Sequence, residues 1–317
     1  MTSARDPHSA RSVPGAPTIL IVSQVVVDEI WHLGQPLVMD GWARSTHRET
    51  VLGGMFTHAA RQLDELGTPW VGAACAGPGA RELLPGTWMT RTALHHSLED
   101  QVVCVWDDGT NRAITGVQHD RAWAEWQPPV TPISELLRGV TAVLLDGHCL
   151  HWDAFANWGP LLITAARERG IPVIVEDPGD RLRTEVDVIS GHRAELVASG
   201  DLARYCVIHD GPDPVLVCDR VRRSTPVTVR FETVPTHCAV GLGDRFAARL
   251  AAALGAVGSP LTGSTVVQAV VASAGIPLPD DRAIQSAPPP RVARTQPGCT
   301  AEHRQPQGVA RSLVAGI

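Results

Sequence analysis

The chain has 317 residues, 44% of them hydrophobic and 19% charged, with a formal net charge of −6 at pH 7. This length suits one large α/β domain, or two smaller ones, with a sizeable core. No basic block is present to neutralise phosphates, which argues against a nucleic-acid partner, and no apolar run approaches the roughly 20 residues of a membrane span, so no membrane partner is expected.

Met1 to Pro17 is rich in Ser, Ala, Arg and Pro but has no apolar core, so 1–17 reads as a disordered segment and not as a secretory signal. The seven cysteines form no CxxC pair and no regular spacing, which points to a reduced, cytoplasmic protein. Nine Trp against four Phe and one Tyr is either a compositional bias or a set of surfaces for stacking on sugars or bases.

In chain order, Thr18 to Val27 is an apolar, β-branched run that reads as a strand. Gly54 to Leu66 has apolar residues at helical spacing and ends at Gly67, a plausible C-cap. Trp70 to Cys75 reads as a strand, and Val102 to Trp106 with Asn111 to Val117 reads as a hairpin turned by Asp107-Asp108-Gly109. Further on come a buried strand (Ala142 to Leu145), a helix (Ala154 to Arg169) closed by Gly170, a strand (Val173 to Glu176) and a short helix (Ala194 to Ser199). Val207-Ile208, Val215 to Cys218 and Val227 to Phe231 follow as strands. Ala247 to Leu254 is an apolar helical run. From about Ser286 a Pro-rich, then Gln- and Arg-containing stretch (286–317) reads as a low-complexity tail. Strands alternating with helices imply a mostly parallel sheet covered on both faces, with ligands at the carboxyl ends of its strands.

The chemistry concentrates in Gly241-Leu242-Gly243-Asp244-Arg245-Phe246, just before the last apolar helix. Two glycines permit a tight turn that presents backbone N–H groups at a helix N-terminus, where the helix dipole favours an anion. Asp244 adds a potential base. Such equipment suits phosphoryl transfer, although the string alone also fits an ordinary turn followed by an acidic residue. No Gly-x-Gly-x-x-Gly follows the first strand, which disfavours a Rossmann-type dehydrogenase.

Other landmarks lie in order along the chain. Ser23 to Asp28 is a strand ending in a carboxylate, which from the residues alone reads first as a loop acid or N-cap; a carboxylate can also accept two hydrogen bonds. Gly53-Gly54 precedes a helix and is followed by His58, which reads either as a ligand-facing donor or as a helix-surface histidine. Asp177-Pro178-Gly179-Asp180-Arg181 follows a buried strand, and His192-Arg193-Ala194-Glu195 and His209-Asp210-Gly211 come next.

Over roughly Thr18 to Ile284 this succession resembles the ribokinase-like (PfkB-type) family of sugar and nucleoside kinases. The resemblance implies a three-layer α/β sandwich, a mostly parallel central sheet flanked by helices, with a small β-sheet lid. It places the kinase domain at 18–285 and lid elements near 29–50 and 100–118. It implies that Asp244 is the catalytic base and that Gly241, Leu242 and Gly243 form the anion hole. Asp28, Gly53, Gly54 and His58 become acceptor-binding residues, and Glu195, His192, His209 and Gly211 border the nucleotide, with Glu195 organising Mg²⁺ through water. The co-substrate is then ATP, the partner a small-molecule sugar or nucleoside, and a homodimer through the lid is an option. The chain departs from the family pattern at His58, Gly179, His192, His209 and Cys238-Ala239. Those departures motivate an alternative, a kinase-fold protein that binds a sugar or nucleoside without turnover. Another keeps catalysis but takes a vitamin-like heterocyclic alcohol, against which the lid-like segment and Asp28 with Gly53-Gly54 favour a polyol.

Overall fold

The computed structural model describes residues 16–36, 38, 43–108, 112–117, 127–196, 199–210, 213–230, 241–273 and 293–294. The first strand, β1 (Ile19–Gln24), alternates its apolar side chains between two cores. Ile19 and Ile21 join one cluster, Leu20 and Val22 the other, as the two-residue period of a strand buried on both faces requires. The apolar run predicted as one strand is two. β1 stops at Gln24, the Val25 N–H bonds to the Cys75 carbonyl, and β2 (Val26–Leu33) starts in a different sheet.

The remaining strands are β3 (Ser45–Gly53), β4 (Trp70–Ala76), β5 (Thr92–His96), β6 (Gln101–Asp107), β7 (Arg112–Val117), β8 (Ala142–Asp146) and β9 (Val173–Glu176). They are followed by β10 (Val186–Gly191), β11 (Ala203–Ile208), β12 (Val215–Asp219), β13 (Val227–Val229) and β14 (Ala293–Arg294). The long helices are α1 (Gly54–Glu65), α2 (Asp153–Glu168), α3 (Leu242–Val257) and α4 (Gly263–Ser273).

The ten-stranded sheet has the order β14-β13-β12-β11-β10-β9-β8-β1-β4-β5. It is parallel from β5 to β11 and antiparallel from β11 to β14. One face packs on α1, α3 and α4 through residues such as Phe56, Leu63, Leu250 and Val266, and the other on α2 through Phe155, Leu162 and Ile163. The result is the expected three layers. Gly67 and Gly170, the predicted helix stops, both lie at positive φ (62° and 68°), where a Cβ is unfavourable.

A second sheet of four strands, β3-β2-β6-β7, comes from the segments expected to form the lid. β2 pairs antiparallel with β3 and parallel with β6, and β6 and β7 form the predicted hairpin. On one face Trp31 stacks on Trp106 with centroids 5.6 Å apart, and the Arg48 guanidinium lies 5.1 Å over the Trp31 ring while pairing with Glu29.

Some boundaries differ from expectation. Of the helix predicted at Ala194 to Ser199, the structure describes a turn at Arg193–Leu196, and 197–198 lie outside the described residues. The Val207-Ile208 strand extends back to Ala203, and β5, β10 and α4 were not foreseen. Ala293 and Arg294, inside the segment read as a tail, pair with β13. The N-terminal segment 1–15, the hairpin turn at 109–111 and the rest of 286–317 lie outside the described residues. Among the described residues no helix is long and apolar enough to cross a membrane.

Candidate active site

In a parallel sheet every strand delivers its carboxyl end to the same edge. Here β8 ends at Asp146, β9 at Glu176 and β10 at Gly191, and His209 follows β11 directly. The N-terminus of α3 meets the same edge. Gly241 caps the helix in the left-handed conformation (φ 73°, ψ 8°), so Leu242, Gly243 and Asp244 occupy its first turn. Gly241 has no side chain with which to cap that turn.

Asp244 is pushed up to about 7, first by burial and then by the charges of Glu176 and Asp146, with His148 and His209 pulling the other way. Burial also opposes ionisation of Asp146, but hydrogen bonds from His148 and Ser23 hold its carboxyl below the usual range. The Ser23 hydroxyl donates to Asp146 Oδ2 at 2.7 Å, and the His148 N–H to Oδ1 at 2.9 Å. Glu176 is 3% exposed, and its Oε1 lies 3.0 Å from His209 Nε2. Among the described residues its second oxygen, which is buried, has no hydrogen-bond partner. A Cβ on Gly243 would sit 3.3 Å from His209 Cε1 and 3.4 Å from Glu176 Oε1, so the middle of the turn lies directly against this pair.

The expected acceptor residues assemble around α1. Gly53 is its N-cap, and a Cβ there would overlap the carboxyl group of Asp28 on β2. Asp28 is 6% exposed, and burial pushes its carboxyl up to about 6, with Arg61 pulling it down. Gly54 has φ 75°, and a Cβ there would crowd Val26 at 2.7 Å. His58 packs its ring against Gly241. Burial, then Arg61 and Arg245, push its imidazole down to about 4, so it is neutral at pH 7. Arg245, whose role the sequence left open, lies 3.5 Å from Glu65. A small pocket lined by Gln24, Cys75, Ser97, Glu99, Gln101 and Trp152 opens at the carboxyl ends of β1 and β4.

The structure thus brings His58 to Gly241, Asp28 to Gly53 and His209 to Gly243. His192 lies with its ring 5.6 Å from that of His209 and its Nδ1 3.6 Å from Asp210 Oδ1. Glu195 lies on the single helical turn after β10, and nothing is described of its side chain. Gly211, Cys238 and Ala239 lie outside the described residues. Gly179 stands at φ 55°. Sequence reasoning missed Asp146, His148 and Glu176. The available signal was a carboxylate closing a short apolar run, as in Leu144-Leu145-Asp146 and Ile174-Val175-Glu176.

The sequence matches no family model and no curated protein. Solved structures do match it. A ribokinase from Arabidopsis thaliana, determined in complex with ribose and ATP, is 16% identical over 82% of this chain and 92% of its own, with a TM-score of 0.59. A ribokinase from Thermotoga maritima is 16% identical over 81% of this chain and 92% of its own, TM-score 0.59. A nucleoside kinase from Methanocaldococcus jannaschii is 13% identical over 81% of this chain and 89% of its own, TM-score 0.54. With its parallel core sheet, flanking helices and separate small sheet, the chain has the ribokinase-like fold.

Proposed function

We propose that this protein is an ATP-dependent kinase that phosphorylates an alcohol group of a sugar, sugar derivative or nucleoside. The observation that carries the reading is the buried Asp244 in the first turn of α3, directly behind a left-handed Gly241. Asp244 accepts the proton of the acceptor hydroxyl as its oxygen attacks the terminal phosphoryl group of ATP in line. The N–H groups of Leu242, Gly243 and Asp244 meet the charge on the transferring group. Asp28 orients the acceptor beside Gly53 and Gly54, and the small sheet serves as a lid that excludes water. The same sheet is the surface through which a homodimer would form.

Mg²⁺ supplies charge neutralisation on the phosphates when bound. Among the described residues no group of three or more His, Cys, Asp or Glu forms a ready cage. Glu195 is the residue proposed to position the ion, by way of water.

A second reading, binding of a sugar or nucleoside without turnover, is favoured by one observation. The Glu176 carboxylate lies against Gly243, so the turn that would receive a phosphoryl group already has a negative neighbour. The two readings separate in a screen of pentoses, hexoses and nucleosides that follows ADP formation by the wild type and Asp244→Asn. Transfer requires ADP with a cognate acceptor and its loss in the variant. Acceptor binding with no ADP, across nucleotides and divalent cations, supports the second reading.

A further inference from the structure

Glu176 and His209 have no part in the proton transfer just described, yet they abut its centre. Glu176 closes β9 and His209 follows β11, two strands separated in the sheet by β10. The His209 N–H donates to the Gly191 carbonyl at 3.1 Å, which anchors the residue beyond its strand. Its Nε2 is 3.0 Å from Glu176 Oε1, and its ring centroid is 5.3 Å from that of Phe246 on α3. Both partners contact the space a side chain on Gly243 would fill. The pair therefore lies against the first turn of α3, one residue from Asp244. Among the described residues the buried second oxygen of Glu176 has no hydrogen-bond partner.

The charged surroundings come from several elements. Asp244 on α3 faces Glu176 from β9, Asp146 from β8, His148 from the turn after β8, and His209. His209 faces Glu176 and Asp210, with the His192 ring at 5.6 Å. Two carboxylates in one buried place cannot both ionise freely, and a positive charge on the neighbouring His209 favours their ionisation. Burial works against charging His209, but the hydrogen bond and charge of Glu176 outweigh it and raise its imidazole above the ordinary value.

We propose that Glu176 and His209 form a positioning pair that sets the charge met by Asp244, and by any anion, at the first turn of α3. Its catalytic consequence rests on the kinase reading. Removing the Glu176 charge lets Asp244 ionise at lower pH and takes from His209 the partner that raises its imidazole. Removing the His209 cation does the opposite to Asp244. A residue that merely holds the fold would lower activity equally at every pH.

The test uses the full chain and compares kcat/KM against pH for the wild type, Glu176→Gln, His209→Asn and the double variant, with circular dichroism as the check of folding. The acid limb is expected to fall by about one pH unit in Glu176→Gln and to rise by about one in His209→Asn. The double variant should lie near the wild type. Four coincident limbs, with ADP formation that Asp244→Asn abolishes, would remove the pair and leave the kinase reading standing. Absence of ADP formation with every acceptor would remove the kinase reading, and a second readout then decides the pair without turnover. In an NMR titration the His209 ring protons should show a midpoint above the ordinary imidazole value in the wild type. It should be lower in Glu176→Gln and in Asp244→Asn, because electrostatic coupling is reciprocal. A midpoint unchanged in either variant overturns the proposal.

Discussion

The imidazole of His58 occupies the space that a Cβ on Gly241 would need. This contact joins the two helix N-termini of the site, because His58 lies on the second turn of α1 and Gly241 caps α3. It also explains why the ring stays neutral. Burial removes water from it, and Arg61 and Arg245 disfavour a further positive charge. A neutral ring can lie against the turn without adding a charge to it.

Gly241→Ala should be destabilising on two counts. Its φ of 73° is unfavourable for a residue with a Cβ, at roughly 1–2 kcal/mol, and the added methyl would overlap His58. Denaturant unfolding should register a loss of about 2 kcal/mol or more. Adding His58→Ala should recover only the steric part. A Gly241→Ala protein as stable as the wild type would contradict the tight contact.

Asp244→Asn should trade activity for stability. The loss of a general base is expected to lower kcat about 10²–10⁴-fold. The folded-state value near 7, against an ordinary 3.8, means that the ionised carboxylate is disfavoured in the fold. Its contribution is therefore intact below about pH 4 and is lost as pH rises through about 7. Asn carries no such charge, so thermal unfolding should show the variant more stable at pH 8, by up to about 4 kcal/mol, and level with the wild type at low pH. Equal melting temperatures at pH 8 would argue that Asp244 is not buried as a strained carboxylate.

The same value predicts the acid limb of activity. Wild-type kcat/KM should fall on going below about pH 7, as Asp244 takes up a proton. A profile that stays flat from pH 8 to pH 5 would exclude Asp244 as the base.

Asp28→Asn should act on the acceptor alone. The substitution keeps the shape beside Gly53 and removes a carboxylate able to accept two hydroxyl hydrogen bonds. The acceptor KM should rise about tenfold, the equivalent of one lost hydrogen bond to a charged group, with the KM for ATP unchanged. In the wild type, acceptor affinity should weaken below about pH 6, where Asp28 becomes protonated. A rise in both KM values would instead indicate general damage to the cleft.

Much of the framework was written locally. The alternation in Ile19 to Val22, the helical spacing from Gly54 to Leu63, and the glycine stops at Gly67 and Gly170 are properties of neighbouring residues, so they could be read directly. The Gly241-to-Asp244 turn was legible for the same reason, since a left-handed glycine before an apolar helix is a local event. The break at Val25 was not legible. It depends on which sheet each half of the run joins, and the sequence there carries no Gly or Pro, only the polar pair Ser23-Gln24 that a strand also accommodates.

The sequence by itself determined an alternating α/β chain with a glycine turn and Asp244 at the head of α3. Only the tertiary structure decided what surrounds that carboxylate. Asp146, Glu176 and His209 lie far apart in the chain and meet because parallel strands β8, β9 and β11 end on one edge, where α3 begins. Sheet order is a long-range property, set by packing both faces against helices, and no short motif encodes it. Burial at that edge then raises Asp244, and the Glu176–His209 contact surrounds it with charges that position along the chain does not reveal.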